Sequence, residues 1–280
     1  VIARFCGVRG STPAPGAEFV QVGGNTSCLA VTPDGADRPR LLLDAGTGIR
    51  AVTGLLGGEP FRGTILLSHL HWDHVQGLPF FAAGDRDDAE VVLHVPCEGD
   101  DAEALALLRR TMSPPHFPIG PEGLQGRWSF AALDEGHLEV EGLQVEVARV
   151  AHKGGLALGF RVRDERTTLA YVPDHLPGVL GPEHDRTVEL ARGADVLVHD
   201  AQFVAGEEAL AIDYGHSTIA QAVAVAVEAG VGTLVLFHHA PARTDEQVEA
   251  IGRRARAMAQ EADSDLVVAV AREGEHVPST

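Results

Sequence analysis

The sequence predicts a mixed α/β protein of one domain, 1–280, with two α/β halves packed sheet to sheet. Three observations carry this. Short apolar runs alternate with helical patterns along the 280 residues, several runs are unbroken Val, Leu and Ile as in strands covered on both faces, and no linker separates two halves.

In chain order, strands are expected at 41–43, 64–67, 91–95, 143–148, 156–162, 168–172, 196–198, 233–237 and 266–270. Helices are expected at 48–56, 101–112, 187–192, 217–228 and 245–261, with Ser217 or Thr218 capping the fourth and Thr244 the fifth. The segment 113–121 holds four prolines in nine positions and must be irregular, since proline supplies no backbone N–H.

The formal charge of −18 opposes a long nucleic acid, whose phosphates call for a basic surface. A small-molecule substrate is expected instead. The three cysteines, Cys6, Cys28 and Cys97, are too few and too scattered for a disulfide framework and read as reduced, mostly buried thiols. No apolar run is long enough to span a membrane and no secretory signal is visible, so a cytoplasmic location is expected.

The most informative motif is His69-Leu70-His71-Trp72-Asp73-His74, directly after the apolar run ending at Leu67. Imidazole and carboxylate are the usual ligands of a borderline metal such as zinc. Four such groups in six residues cannot all meet one ion from a regular helix or strand. A tight turn that divides them between two ions is expected. The competing reading, a surface loop that happens to be histidine-rich, does not account for the spacing.

With this motif, the chain resembles the metallo-β-lactamase superfamily and, within it, the phosphodiesterase and ribonuclease Z-like branch. The resemblance runs from Gly7-Val8-Arg9-Gly10-Ser11 to Leu236-Phe237-His238-His239-Ala240-Pro241. It implies a four-layer αβ/βα sandwich of two mixed β-sheets flanked by helices. It also implies two divalent metals per chain, zinc first, with manganese or iron as alternatives. One would be held by His69, His71 and His152, the other by Asp73, His74 and His238, with Asp174 bridging. His239 competes with His238 for the last place. Asp44 would orient a ligand histidine or the metal water, or cap a helix. His216, supported by Asp200, would protonate the leaving group. The branch often has Glu where this chain has Asp200, so whether the shorter side chain reaches His216 is a question for the structure.

The function expected is a phosphodiesterase acting on small or cyclic phosphodiesters, with attack by a hydroxide shared between the metals. Asp73, His216 and Asp200 are its catalytic residues. Alternatives are a tRNA 3′-processing nuclease, a lactonase, β-lactamase or thioesterase, and a non-catalytic metal-binding member. Arg9 and Lys153 are candidate phosphate contacts. His116 and Phe117, in the Pro-rich segment, are candidate cleft contacts. His94, His175 and His199 have no argued role. Relatives are often dimers, and a homodimer is the assembly to test.

Overall fold

The computed structural model describes residues 1–177 and 183–278. One six-stranded sheet runs, in spatial and chain order, β1 (Ile2–Gly7), β2 (Cys28–Thr32), β3 (Leu41–Leu43), β4 (Arg62–Leu66), β5 (Glu90–Pro96) and β6 (Arg127–Leu133). The first three strands pair antiparallel and the last four parallel. The seven-stranded second sheet holds β7 (Gly136–Val140), β8 (Leu143–Arg149), β9 (Leu158–Arg163), β10 (Thr168–Val172), β11 (Val196–Asp200), β12 (Thr233–Phe237) and β13 (Val267–Val270), again in order. Here β7 to β10 are antiparallel, and β10 to β13 are parallel.

The sheets face each other across one apolar core. Phe5, Leu29, Leu41 and Leu43 of the first sheet meet Val145, Phe160, Tyr171, Val198 and Phe237 of the second. Helices cover the outer faces. On the first sheet these are α1 (Ile49–Leu55) and α3 (Asp101–Arg109), and on the second α4 (Glu183–Ala191), α6 (Ile219–Ala229) and α7 (Asp245–Glu261). This is the expected four-layer arrangement. Both sheets are therefore buried on both sides, which is why β3, β10, β11 and β12 read as continuous apolar runs.

Helix ends follow from side-chain chemistry. Thr218, not Ser217, caps α6, and Thr244 caps α7; each hydroxyl accepts from a backbone N–H while Gln221 or Gln247 answers in a capping box. Helix α3 ends at Arg109, short of the expected Met112, ahead of the Pro-rich loop. Two short helices, α2 (Trp72–Val75) and α5 (Glu208–Tyr214), lie beside the site described next. All three cysteines are free and buried. No helix among the described residues is long and apolar enough to cross a membrane.

Candidate active site

Strand ends from both sheets deliver the site. The chain leaves β4 through Leu67 and Ser68, passes His69, and enters the single turn of α2 with His71 at its N-cap. That turn carries Asp73 and His74 inward. Three further residues arrive from the second sheet: His152 beyond β8, Asp174 beyond β10, and His238 immediately after β12. They converge in three groups, His69–His71–His152–Asp174, Asp73–His74–His238 and Asp174–His216–His238, the last sharing a residue with each of the others, and within each the candidate ligand atoms all lie within 4.8 Å of one another.

Asp174 divides its oxygens between the groups. Its Oδ2 lies 3.5 Å from both His69 Nε2 and His152 Nε2. Its Oδ1 lies 3.1 Å from His74 Nε2 and 3.3 Å from His238 Nε2. Asp73 Oδ2 is 3.1 Å from His238 Nε2 and accepts from the Ser11 backbone N–H at 2.7 Å.

Chemistry at these atoms fits a divalent cation. His74 Nδ1 sits 2.8 Å from Asp44 Oδ2, and His152 Nδ1 sits 2.6 Å from the Gly215 carbonyl. A carboxylate and a carbonyl only accept, so each Nδ1–H donates and each Nε2 is left to face the cluster as a potential ligand. His74 Nε2 and His238 Nε2 face each other at 3.4 Å, and the buried His69 Nε2 and Asp174 Oδ1 have no hydrogen-bond partner. Imidazole nitrogens turned towards each other and towards carboxylates in a buried space are the donor set of a metal centre.

Protonation tendencies agree. Burial lowers His69, His71 and His152, the last to about 4, so these three rings are neutral near neutral pH and free to act as ligands. Burial alone would raise Asp73 and Asp174. Facing histidines outweigh it and hold both carboxyls below the usual range. His74 is raised against its burial by Asp174, Asp73 and Asp44.

Behind the ligands, fully buried Asp44 accepts four hydrogen bonds: His74 Nδ1, Ser68 N at 2.7 Å, Ser68 Oγ at 2.9 Å and the Tyr171 hydroxyl at 2.8 Å. It caps no helix. Burial and Asp44 raise Tyr171, which stays a donor. Asp44 and His238 both have left-handed backbone, φ 63° and 56°, rare for residues with a Cβ and characteristic of a chain held in place by its contacts.

Asp200 ends β11, two residues beyond the expected strand, and does reach His216. Its Oδ2 accepts from His216 Nδ1 and Ser217 N, each at 3.0 Å, and from His175 N at 3.1 Å, while Oδ1 accepts from Gln202 N at 3.0 Å. The His216 ring lies beside those of His238 and His152, at 4.9 and 5.1 Å between centroids. Burial lowers its pKa, but Asp200 outweighs this and pushes it up to about 9.

Residues 39–239 match the sequence profile of the Beta-lactamase superfamily domain. The chain belongs to this superfamily. Within it, ribonuclease Z of Bradyrhizobium diazoefficiens is 28% identical over 264 residues, covering 77% of this chain and 85% of that protein. Ribonuclease Z of Salinispora arenicola (strain CNS-205) is 30% identical over 239 residues, covering 73% of this chain and 76% of that protein, and this kinship puts the chain in the ribonuclease Z-like branch. Among solved structures, the metallo-β-lactamase fold protein YhfI from Bacillus subtilis superposes with a TM-score of 0.72 at 18% identity, covering 99% of each chain. A diphosphatase of the PhnP family superposes at 0.68 and 18% identity, covering 100% of this chain and 98% of that one. The chain is thus a metal-dependent hydrolase of the β-lactamase superfamily.

The remaining superfamily candidates fall in different places. His239 turns away from the cluster, its Nε2 donating to the Ala271 carbonyl at 3.1 Å; burial pushes it down to about 3. Arg9 corrects an expectation. It is completely buried, donating to the carbonyls of Gly23 at 2.7 Å and Arg243 at 2.6 Å and lying over the Phe19 ring, so it presents no charge to a substrate. The Gly7–Ser11 motif instead serves the site through its backbone, at Ser11. Lys153 is exposed beside the ligands, its Nζ donating to the Asp213 carbonyl at 2.9 Å. His116 and Phe117 line a pocket next to Trp72. His175 and His199 bond to each other behind Asp200, Nδ1 to Nε2 at 3.0 Å, and half-buried His94 lies on β5.

Sequence reasoning passed over Ser68, Tyr171 and Gly215. Gly215 carries the one usable signal. Its φ is 86°, and a Cβ there would sit 3.1 Å from His152 Nδ1, so a glycine before His216 lets the chain close on the ligand.

Proposed function

We propose that the chain is a phosphodiesterase working with two divalent metals, zinc first, held by His69, His71 and His152, by Asp73, His74 and His238, and by Asp174 between them. The observation that carries this reading is His216 on Asp200 at 3.0 Å, at the edge of the ligand cluster. A proton donor there serves a leaving group that departs poorly without one, such as the alkoxide of a phosphodiester. A lactam or thioester needs it far less. When bound, the metals supply Lewis acidity towards the phosphoryl oxygens and a water of lowered pKa. Asp200 keeps Nδ1–H of His216 occupied, leaving Nε2 to hand its proton to the departing oxygen. Asp44, Tyr171 and Ser68 hold His74 in one tautomer.

The charge of −18 favours a small or cyclic phosphodiester over a long RNA. The ribonuclease Z relatives favour a second reading, a nuclease acting on an RNA 3′ end. The deciding experiment loads the protein with zinc and compares bis-p-nitrophenyl phosphate, nitrocefin, cyclic nucleotides and a precursor tRNA, each with and without chelator. Chelator-sensitive cleavage of the phosphodiesters alone supports the proposal. Cleavage of nitrocefin alone overturns it, and precursor tRNA processed far faster than the small esters replaces it with the second reading.

A further inference from the structure

Two cavities meet beside the ligands. One, of about 410 Å³, is lined by His69, His71 and His152, with Lys153 and Arg110 as its cations. Its one carboxylate, Glu98, is paired with Arg149 at 2.7 Å. Lys153 is the only lysine in the sequence. Arg110 makes no ion pair and no side-chain hydrogen bond among the described residues. The other cavity, of about 440 Å³, is mainly apolar, walled by Trp72, Leu78, Phe80, Met112 and Phe117. Arg110 and Thr111 line both, so the two lie side by side and share that wall.

The second wall is aromatic and open. Trp72 is 71% exposed and Phe80 59% exposed, large apolar surfaces left to water at the mouth of a polar site. Phe80 and Phe117 meet edge to face, 5.9 Å between ring centroids, and form one aromatic surface. Such a wall accepts the face of a flat ring.

We propose that the substrate is a phosphodiester bearing a planar aromatic group, its phosphate placed between the ligands, Lys153 and Arg110 and its ring lodged against Trp72, Phe80 and Phe117. This rests on the phosphodiesterase reading and adds a substrate class to it. The geometry also gives a division of labour: the cations read the charge, and the Pro-rich loop that carries Phe117 reads the ring.

The test uses the whole chain, metal-loaded, with Lys153 reductively methylated from ¹³C-formaldehyde, which keeps its charge and gives one side-chain resonance. Diphenyl phosphate and dimethyl phosphate are titrated against that resonance, and separately as inhibitors of bis-p-nitrophenyl phosphate hydrolysis. Diphenyl phosphate is expected to bind about tenfold tighter. In Phe80→Ala/Phe117→Ala the preference is expected to fall to about twofold, whereas Phe117→Tyr, which keeps the ring, retains it. Cyclic AMP against methyl phenyl phosphate separates a nucleobase from a simple aryl ring. Equal affinities in the wild-type protein, or a preference that survives the double substitution, overturn the subsite. Should no phosphodiester be hydrolysed while the tenfold preference at Lys153 stands, the hydrolytic reading fails and the aromatic subsite does not.

Discussion

Asp44 and His74 meet at 2.8 Å, Oδ2 to Nδ1, in full burial. The contact makes one imidazole nitrogen a donor and so reserves the other for the cluster. Asp44→Asn keeps the size and tolerates the positive φ, but exchanges a strict acceptor for an amide. Metal affinity is expected to fall about 10–100-fold, the usual cost of losing a partner behind a ligand histidine. Competition with a chromophoric chelator measures it, and unchanged affinity would show that Asp44 does not govern the tautomer.

His216→Ala is expected to lower turnover about 10²-fold or more on a substrate with an alkoxide leaving group. With p-nitrophenolate as leaving group the loss is expected to be much smaller, and metal content to be unchanged. Equal losses on both substrates would assign His216 a role other than proton donor.

Asp73→Ala removes a carboxylate from the Asp73–His74–His238 group and leaves His69, His71, His152 and Asp174 intact. Elemental analysis is expected to find occupancy falling towards one metal per chain. Two tightly held metals in this variant would refute the ligand assignment.

Buried His239 makes stability depend on acidity. Its pKa in the folded chain, about 3, lies below the ordinary 6.5, so the unfolded chain takes up a proton that the folded one refuses. The stability this contributes is complete above about 6.5 and declines as pH falls from there towards 3. His239→Gln keeps a donor for the Ala271 carbonyl without the titration. In metal-free protein, the drop in Tm between pH 7 and pH 5 is expected to be smaller in the variant. Identical drops would exclude His239 as a source of acid sensitivity.

The site was legible where its ligands hang from strands with an unmistakable pattern. Leu67 before the histidine motif, Val172 before Asp174 and Phe237 before His238 each close an apolar run, so strand end and ligand could be read together. β1 and β2 were not legible, because Arg4 interrupts Ile-Ala-Arg-Phe-Cys-Gly, and Cys-Leu-Ala-Val-Thr, though apolar over its first four residues, is short and built partly of small side chains. β6 and β7 lie at sheet edges, are mostly half-buried or exposed, and carry little hydrophobic signal. Arg9 misled for a different reason. A cation in a glycine-rich start suggests a phosphate, and only the folded chain shows three carbonyls and an aromatic ring already around it. Contacts such as Tyr171 with Asp44 join residues 127 positions apart and leave no local trace.

Asp174, Asp200 and His238 hang from the ends of neighbouring parallel strands, β10, β11 and β12, whose pairing runs Val172 to His199 and Asp200 to Phe237. Their spacing is thus set by the ladder itself, about 4.8 Å per strand. The aromatic pocket is built from other material, the connections around α2 and beyond α3 on the opposite sheet. The His69–His74 motif shares that side with the pocket, Trp72 standing between His71 and Asp73. Loops beyond α3 can therefore be exchanged without touching a strand, while any change around α2 moves pocket and cluster together, and the ruler that spaces Asp174, Asp200 and His238 stays uncut on the other sheet.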